Sequence, residues 1–164
     1  MGSTTGRLGR ALNACQSGPV TTPDYLPADV EEVLTDAELA EIAAAARRHD
    51  DALAYSRAWE LHVEKIDDDR SLPWEDRTVW TEHDLVAAMF IRDFVEDALG
   101  LLRPELAAKV MPWVERTDDR FRSYTAEDSG ERVAKVAQID TAGRGWWWFR
   151  VPTSGPIVQD LANY

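Results

Sequence analysis

Cysteine is nearly absent from this sequence: Cys15 stands alone, so no internal disulfide can brace the fold. Histidine is scarce as well, with only His49, His62 and His83. No Glu-x-x-His or His-x-x-x-His pair occurs. On one helix, His49 and His62 would lie roughly 20 Å apart, too far to share an ion. Asp67-Asp68-Asp69-Arg70-Ser71 begins like a calcium loop, but Leu72 and Thr78 stand where an EF-hand needs glycine and glutamate. No metal centre is expected. Neither a Gly-x-Ser-x-Gly elbow nor a Walker or Rossmann glycine loop is present, and Cys15 has no local base. Catalytic residues and cofactors are therefore not expected either.

Long hydrophobic runs are also missing. No stretch approaches the roughly 18 apolar residues of a membrane span. The opening, MGSTTGRLGRALNACQSG, carries basic residues but not the apolar stretch of a secretion signal, so the expected location is cytoplasmic. Positive charge is the last scarcity, and it is unevenly felt. The formal net charge is −12, and residues 28–76 hold 15 carboxylates against 5 Lys/Arg. Residues 129–164 hold 3 against 4 and are slightly basic. A field of this sign repels phosphate backbones and anionic lipid, which argues against nucleic-acid and membrane partners. It favours encounter with a basic protein.

What is present points to a mainly α-helical fold. With 164 residues and 45% hydrophobic content, one domain is expected at 35–164, preceded by an irregular arm over 1–34. The arm is rich in Gly, Ser, Thr and Pro; Tyr25, Leu26 and Val33–Leu34 are its candidates for pinning onto the body. Thr35-x-x-Glu38 forms a capping box ahead of a first helix that bends near His49-Asp50-Asp51 and frays at Asp67-Asp68-Asp69. A second helix starts at Thr81 and is apolar around most of its girth, so Phe90 and Phe94 are expected in the core. Arg92, Asp93, Glu96 and Asp97 fall on its narrow polar face. Pro104 opens a third helix, with a kink or restart at Pro112. Glu115, Asp118 and Asp119, interleaved with Arg116, Arg120 and Arg122, read as a surface ion-pair cluster. The resulting expectation is a three-helix bundle, its third helix kinked at Pro112, with a C-terminal β-hairpin and a short terminal helix from Pro156.

The hairpin expectation rests on RVAKVAQ (132–138) and WWWFRV (146–151), two β-compatible runs around IDTAGRG. Strand alternation sends Trp146 and Trp148 to one face, and Trp147 and Phe149 to the other. Both faces of such a ribbon are aromatic, so one must pack on helices. The other needs the tail, the arm or a partner.

Function follows from charge and from the missing chemistry. The expected role is a non-enzymatic protein-binding module, of the acidic immunity or antitoxin type, that neutralises a basic partner. Its interface candidates are Asp67, Asp68 and Asp69 in the acidic stretch, and Trp147, Trp148, Arg144 and Arg150 around the tryptophan run. Trp, Tyr and Arg dominate binding hot spots. An alternative is a small enzyme or ligand-binding protein with a pocket between the aromatic hairpin and the helices. A homo-oligomer that buries the second aromatic face is a third reading.

Overall fold

A computed structural model describes residues 22–46 and 51–164. Cys15, the first part of the arm, and His49 and Asp50 of the bend expected near His49-Asp50-Asp51 lie outside the described residues.

The fold is mainly helical, with one small antiparallel ribbon. In chain order the helices are α1 (Ala28–Glu31), α2 (Asp36–Ala46), α3 (Ala52–Asp69), α4 (Glu82–Gly100), α5 (Pro104–Tyr124), α6 (Arg132–Ala137) and α7 (Pro156–Leu161). Strand β1 (Thr125–Glu127) follows α5 directly, and β2 (Arg150–Pro152) precedes α7. A 3-10 helix, Trp146–Phe149, leads into β2.

Local chemistry accounts for most helix boundaries. Glu38 accepts from the Thr35 amide at 2.9 Å while Thr35 Oγ1 accepts from the Glu38 amide, closing the capping box of α2. Asp51 caps α3 by accepting from the Ala54 amide. Thr81 and Asp84 form a second capping box ahead of α4. Pro104 occupies the first turn of α5, where its missing N–H costs nothing.

The centre of the core is where α3 packs on both α4 and α5. Trp59, Val63, Leu85, Met89, Leu106, Val110 and Phe121 are sealed there. Before α2, Val30 and Leu34 also enter the core, and Tyr25 and Leu26 pack against it, whereas Val33 faces solvent.

Several expectations are corrected. The stretch at 132–138 is helix α6, not a strand: Val133 and Val136, three apart, both turn inward, and Asp128 accepts from the Val133 amide at 2.9 Å. The tryptophan run is a 3-10 helix, not a strand. An antiparallel pair does exist, but it joins β1 to β2, with Ala126 opposite Val151. Helix α5 runs through Pro112 without a restart. Phe94 is 46% exposed and Phe90 only partly buried; Arg92 and Asp118 occupy the interior instead. Helix α3 does end at Asp69, and its terminal acids are paired. Lys65 and the Trp80 amide hold the Asp69 carboxylate, while Arg70 and Arg120 hold Asp67. These cations offset the dipole conflict of three acids at a helix C-terminus.

Candidate functional site

The tryptophan run is the best-organised polar feature of the surface, and Asp93 is its centre. Trp147 Nε1 donates to Asp93 Oδ1 at 2.8 Å, and Trp148 Nε1 donates to both carboxylate oxygens at 2.9 and 3.0 Å. Arg144 Nη1 donates to Oδ2 at 2.6 Å. One carboxylate on α4 thus gathers three side chains from a segment more than fifty residues away.

This requirement explains the local conformation. In a strand, Trp147 and Trp148 would point to opposite faces, and only one indole could reach Asp93. A 3-10 helix turns about 120° per residue and eclipses positions three apart. Trp147 and Trp148 can then both turn inward, while Trp146 and Phe149 share the outer side. Gly145 permits the close approach: a Cβ there would lie 2.1 Å from a Trp147 ring carbon. Phe90 of α4 meets the Trp148 ring edge-on, with centroids 4.9 Å apart. The turn packs on α4 and α6, and the terminal helix α7 on α4 and β2.

A second polar centre lies directly beneath. Arg92 Nε and Nη2 donate to the two oxygens of Asp118 at 2.9 and 3.0 Å, and Trp59 Nε1 donates to Asp118 Oδ1 at 2.9 Å. All three residues are buried. Burial opposes the Arg92 charge, but Asp118 and Glu96 outweigh it and raise the arginine's pKa above its ordinary value. The Arg92 guanidinium also lies 4.2 Å from the centre of the Trp147 ring. A continuous chain therefore runs from Trp59 through Asp118, Arg92 and Trp147 to Asp93.

Two clefts flank the turn. One, of about 390 Å³, lies between α4 and the 143–145 loop and is lined by Asp93, Glu96, Asp97, Arg144 and Trp147. Asp97 has no hydrogen-bond or ion-pair partner among the described residues, and Glu96 projects into solvent while holding Arg92. The other, of about 320 Å³, lies on the outer side and is lined by Arg122, Glu127, Trp146, Phe149 and Arg150.

The sequence candidates fall in separate places. Trp147 and Trp148 are 5% and 1% exposed, so they hold the turn rather than present an open surface. Arg144 completes the Asp93 cluster and stacks over Phe90 and Trp148. Arg150 donates through Nε to Thr125 Oγ1 at 2.7 Å and through Nη2 to the carbonyls of Thr125 and Arg122. Asp69 is buried, Asp67 is paired, and Asp68 projects into solvent 3.9 Å from Arg120. Among the described residues, no hydrogen bond or ion pair links this acidic run to the tryptophan turn.

Sequence reasoning missed Asp93 and Asp118 as organising groups, and Arg122 and Phe149 as cleft residues. A weak signal was available for Asp93: seven tryptophans bring seven indole donors, and buried donors need acceptors. Among the described residues, Trp113 is the exception, with a buried indole nitrogen that has no partner.

Among the described residues, no group of three His, Cys, Asp or Glu side chains has metal-site geometry, and no helix is long and apolar enough to cross a membrane. No protein-family model, curated protein or solved structure was found that matches this chain.

Proposed function

We propose that this protein is a non-enzymatic, cytoplasmic binding module that recognises a basic protein partner, in the manner of an acidic immunity or antitoxin protein. The observation that carries the reading is how its cations are used. Among the described residues, every Lys and Arg except Arg77, Lys135 and Arg150 lies in an ion pair with a carboxylate. Excess carboxylates such as Glu31, Glu32, Glu75, Asp97 and Glu115 are exposed to solvent and have no side-chain partner among the described residues. Among the described residues, the unpaired surface charge is therefore mostly acidic, and it steers basic surfaces inward. The scaffold is read as a bundle of α3, α4 and α5, with α5 bent at Pro112 because proline cannot donate into the helix ladder.

A second reading is a ligand-binding protein or small enzyme that uses the cleft between α4 and the tryptophan turn. The convergence of Asp93, Glu96 and Asp97 with Arg144 on that cleft favours it. A self-association through the outer aromatic face of Trp146 and Phe149 is the homo-oligomeric variant.

Affinity capture from the native cell, with mass spectrometry, identifies the partner. Association rates are then measured across ionic strength for the wild type and for E31K and D97K. The expected result is a basic partner whose association slows steeply with salt, with a shallower slope in the variants. An acidic partner, or a rate indifferent to salt, overturns the reading.

A further inference from the structure

The outer cleft carries chemistry that the acidic surface does not explain. Two of its three charges, Glu127 and Arg150, are adjacent, opposite and unpaired among the described residues. The β-ribbon sets Glu127 directly opposite Arg150 in register. They form no ion pair, because Arg150 is drawn back to Thr125 and to the Arg122 carbonyl. That tether fixes the guanidinium while leaving Nη1 without a partner among the described residues. The Glu127 side chain has no hydrogen-bond or ion-pair partner among the described residues and is exposed.

The rest of the cleft is aromatic. Trp146 and Phe149 stand three apart on the 3-10 helix and so share its outer side. Phe149 is 40% exposed. The Arg122 guanidinium stacks 3.7 Å from the centre of the Trp146 ring and is itself held by Asp119 at 3.0 Å. The indole N–H of Trp146, unlike those of Trp147 and Trp148, has no acceptor among the described residues.

We propose that this cleft binds a zwitterionic aromatic molecule with the chemistry of a free aromatic amino acid. Its carboxylate meets the free Nη1 of Arg150, its ammonium meets Glu127, and its ring lies against Phe149 and Trp146. A simple anion would face Glu127, and a simple cation would face two arginines. A zwitterion satisfies both charges at once. This proposal stands apart from the basic-partner reading, which is carried by unpaired surface carboxylates away from this cleft.

The test titrates the full-length protein with L-phenylalanine, N-acetyl-L-phenylalanine and L-phenylalaninamide. The readout is the Trp146 indole resonance in nitrogen–proton correlation spectra, assigned with W146F. L-Phenylalanine is expected to shift it saturably. Each capped analogue should bind at least about tenfold more weakly, the size of one lost charge-assisted hydrogen bond. E127Q should remove the penalty for the acetyl cap, and F149A should weaken all three ligands; both side chains are exposed, so the fold should be retained. R150Q should remove the penalty for the amide; if it unfolds, the capped ligands and E127Q still decide. Absence of saturation, or capped analogues that bind as well as L-phenylalanine, overturns the proposal.

Discussion

Trp148 donates its single indole N–H to both oxygens of Asp93, from 55 residues away in the chain. Asp93 therefore fixes the tryptophan turn onto α4, and its removal should be felt across that interface. Asp93→Ala leaves two buried indole donors and the Arg144 guanidinium without their acceptor. Unsatisfied buried donors cost about 1–3 kcal/mol each, so the loss should be about 2–5 kcal/mol. Urea melts measure it, with red-shifted tryptophan emission marking release of the turn. A loss below about 1 kcal/mol would show that packing alone holds the segment.

The buried pair beneath makes a sharper test. Arg92→Leu strands the Asp118 carboxylate and should cost about 3–5 kcal/mol. Adding Asp118→Leu should recover part of this, because a buried pair is often replaceable by apolar groups. Recovery should stop short of wild type, since Trp59 Nε1 then lacks an acceptor. A double variant as stable as wild type in a double-mutant cycle would mean the Trp59 hydrogen bond contributes nothing.

Glu38 supplies a pH dependence with a defined sign. The hydrogen bond from Lys109, then that from the Thr35 amide, lower its carboxyl from the ordinary 4.5 to about 2. A depressed carboxyl stabilises the fold above its unfolded pKa, and that stability drains away as pH falls through the folded value. The wild type should thus lose stability between about pH 4.5 and pH 2. Glu38→Gln should be less stable than wild type at pH 7 and should match it near pH 2. Parallel pH profiles in chemical denaturation would refute the linkage.

Two phenylalanines separate apparent from actual core positions. Phe94 is half exposed against Tyr55, whereas Phe121 is sealed between Trp59 and Tyr124. Phe121→Ala should cost about 3–5 kcal/mol, and Phe94→Ala less than about 1.5. Equal losses would mean that the apolar girth of α4 is covered on every side.

Short-range chemistry was legible in the residues themselves. The Thr35–Glu38 and Thr81–Asp84 boxes, Pro104 at a helix start and the terminal helix from Pro156 each depend on neighbours within one turn. Hydrophobic periodicity likewise marked the long helices and the mainly helical class. The sequence by itself also determined the acidic excess and where it is concentrated.

What only the tertiary structure decided is which polar groups face inward. Arg92 and Asp93 are neighbours on the polar face of α4, yet one enters the core to meet Asp118 and the other receives two indoles. Nothing local distinguishes them from Glu96 or Asp97, because the distinction depends on partners 26 and 55 residues away. The same long-range demand overrode strand propensity at residues 146–149. β-Propensity reflects packing against cross-strand neighbours and is worth about 1 kcal/mol, whereas an unmet buried donor costs about 1–3 kcal/mol. Asp93 accepts from both indoles only if the backbone turns, and so the backbone turns.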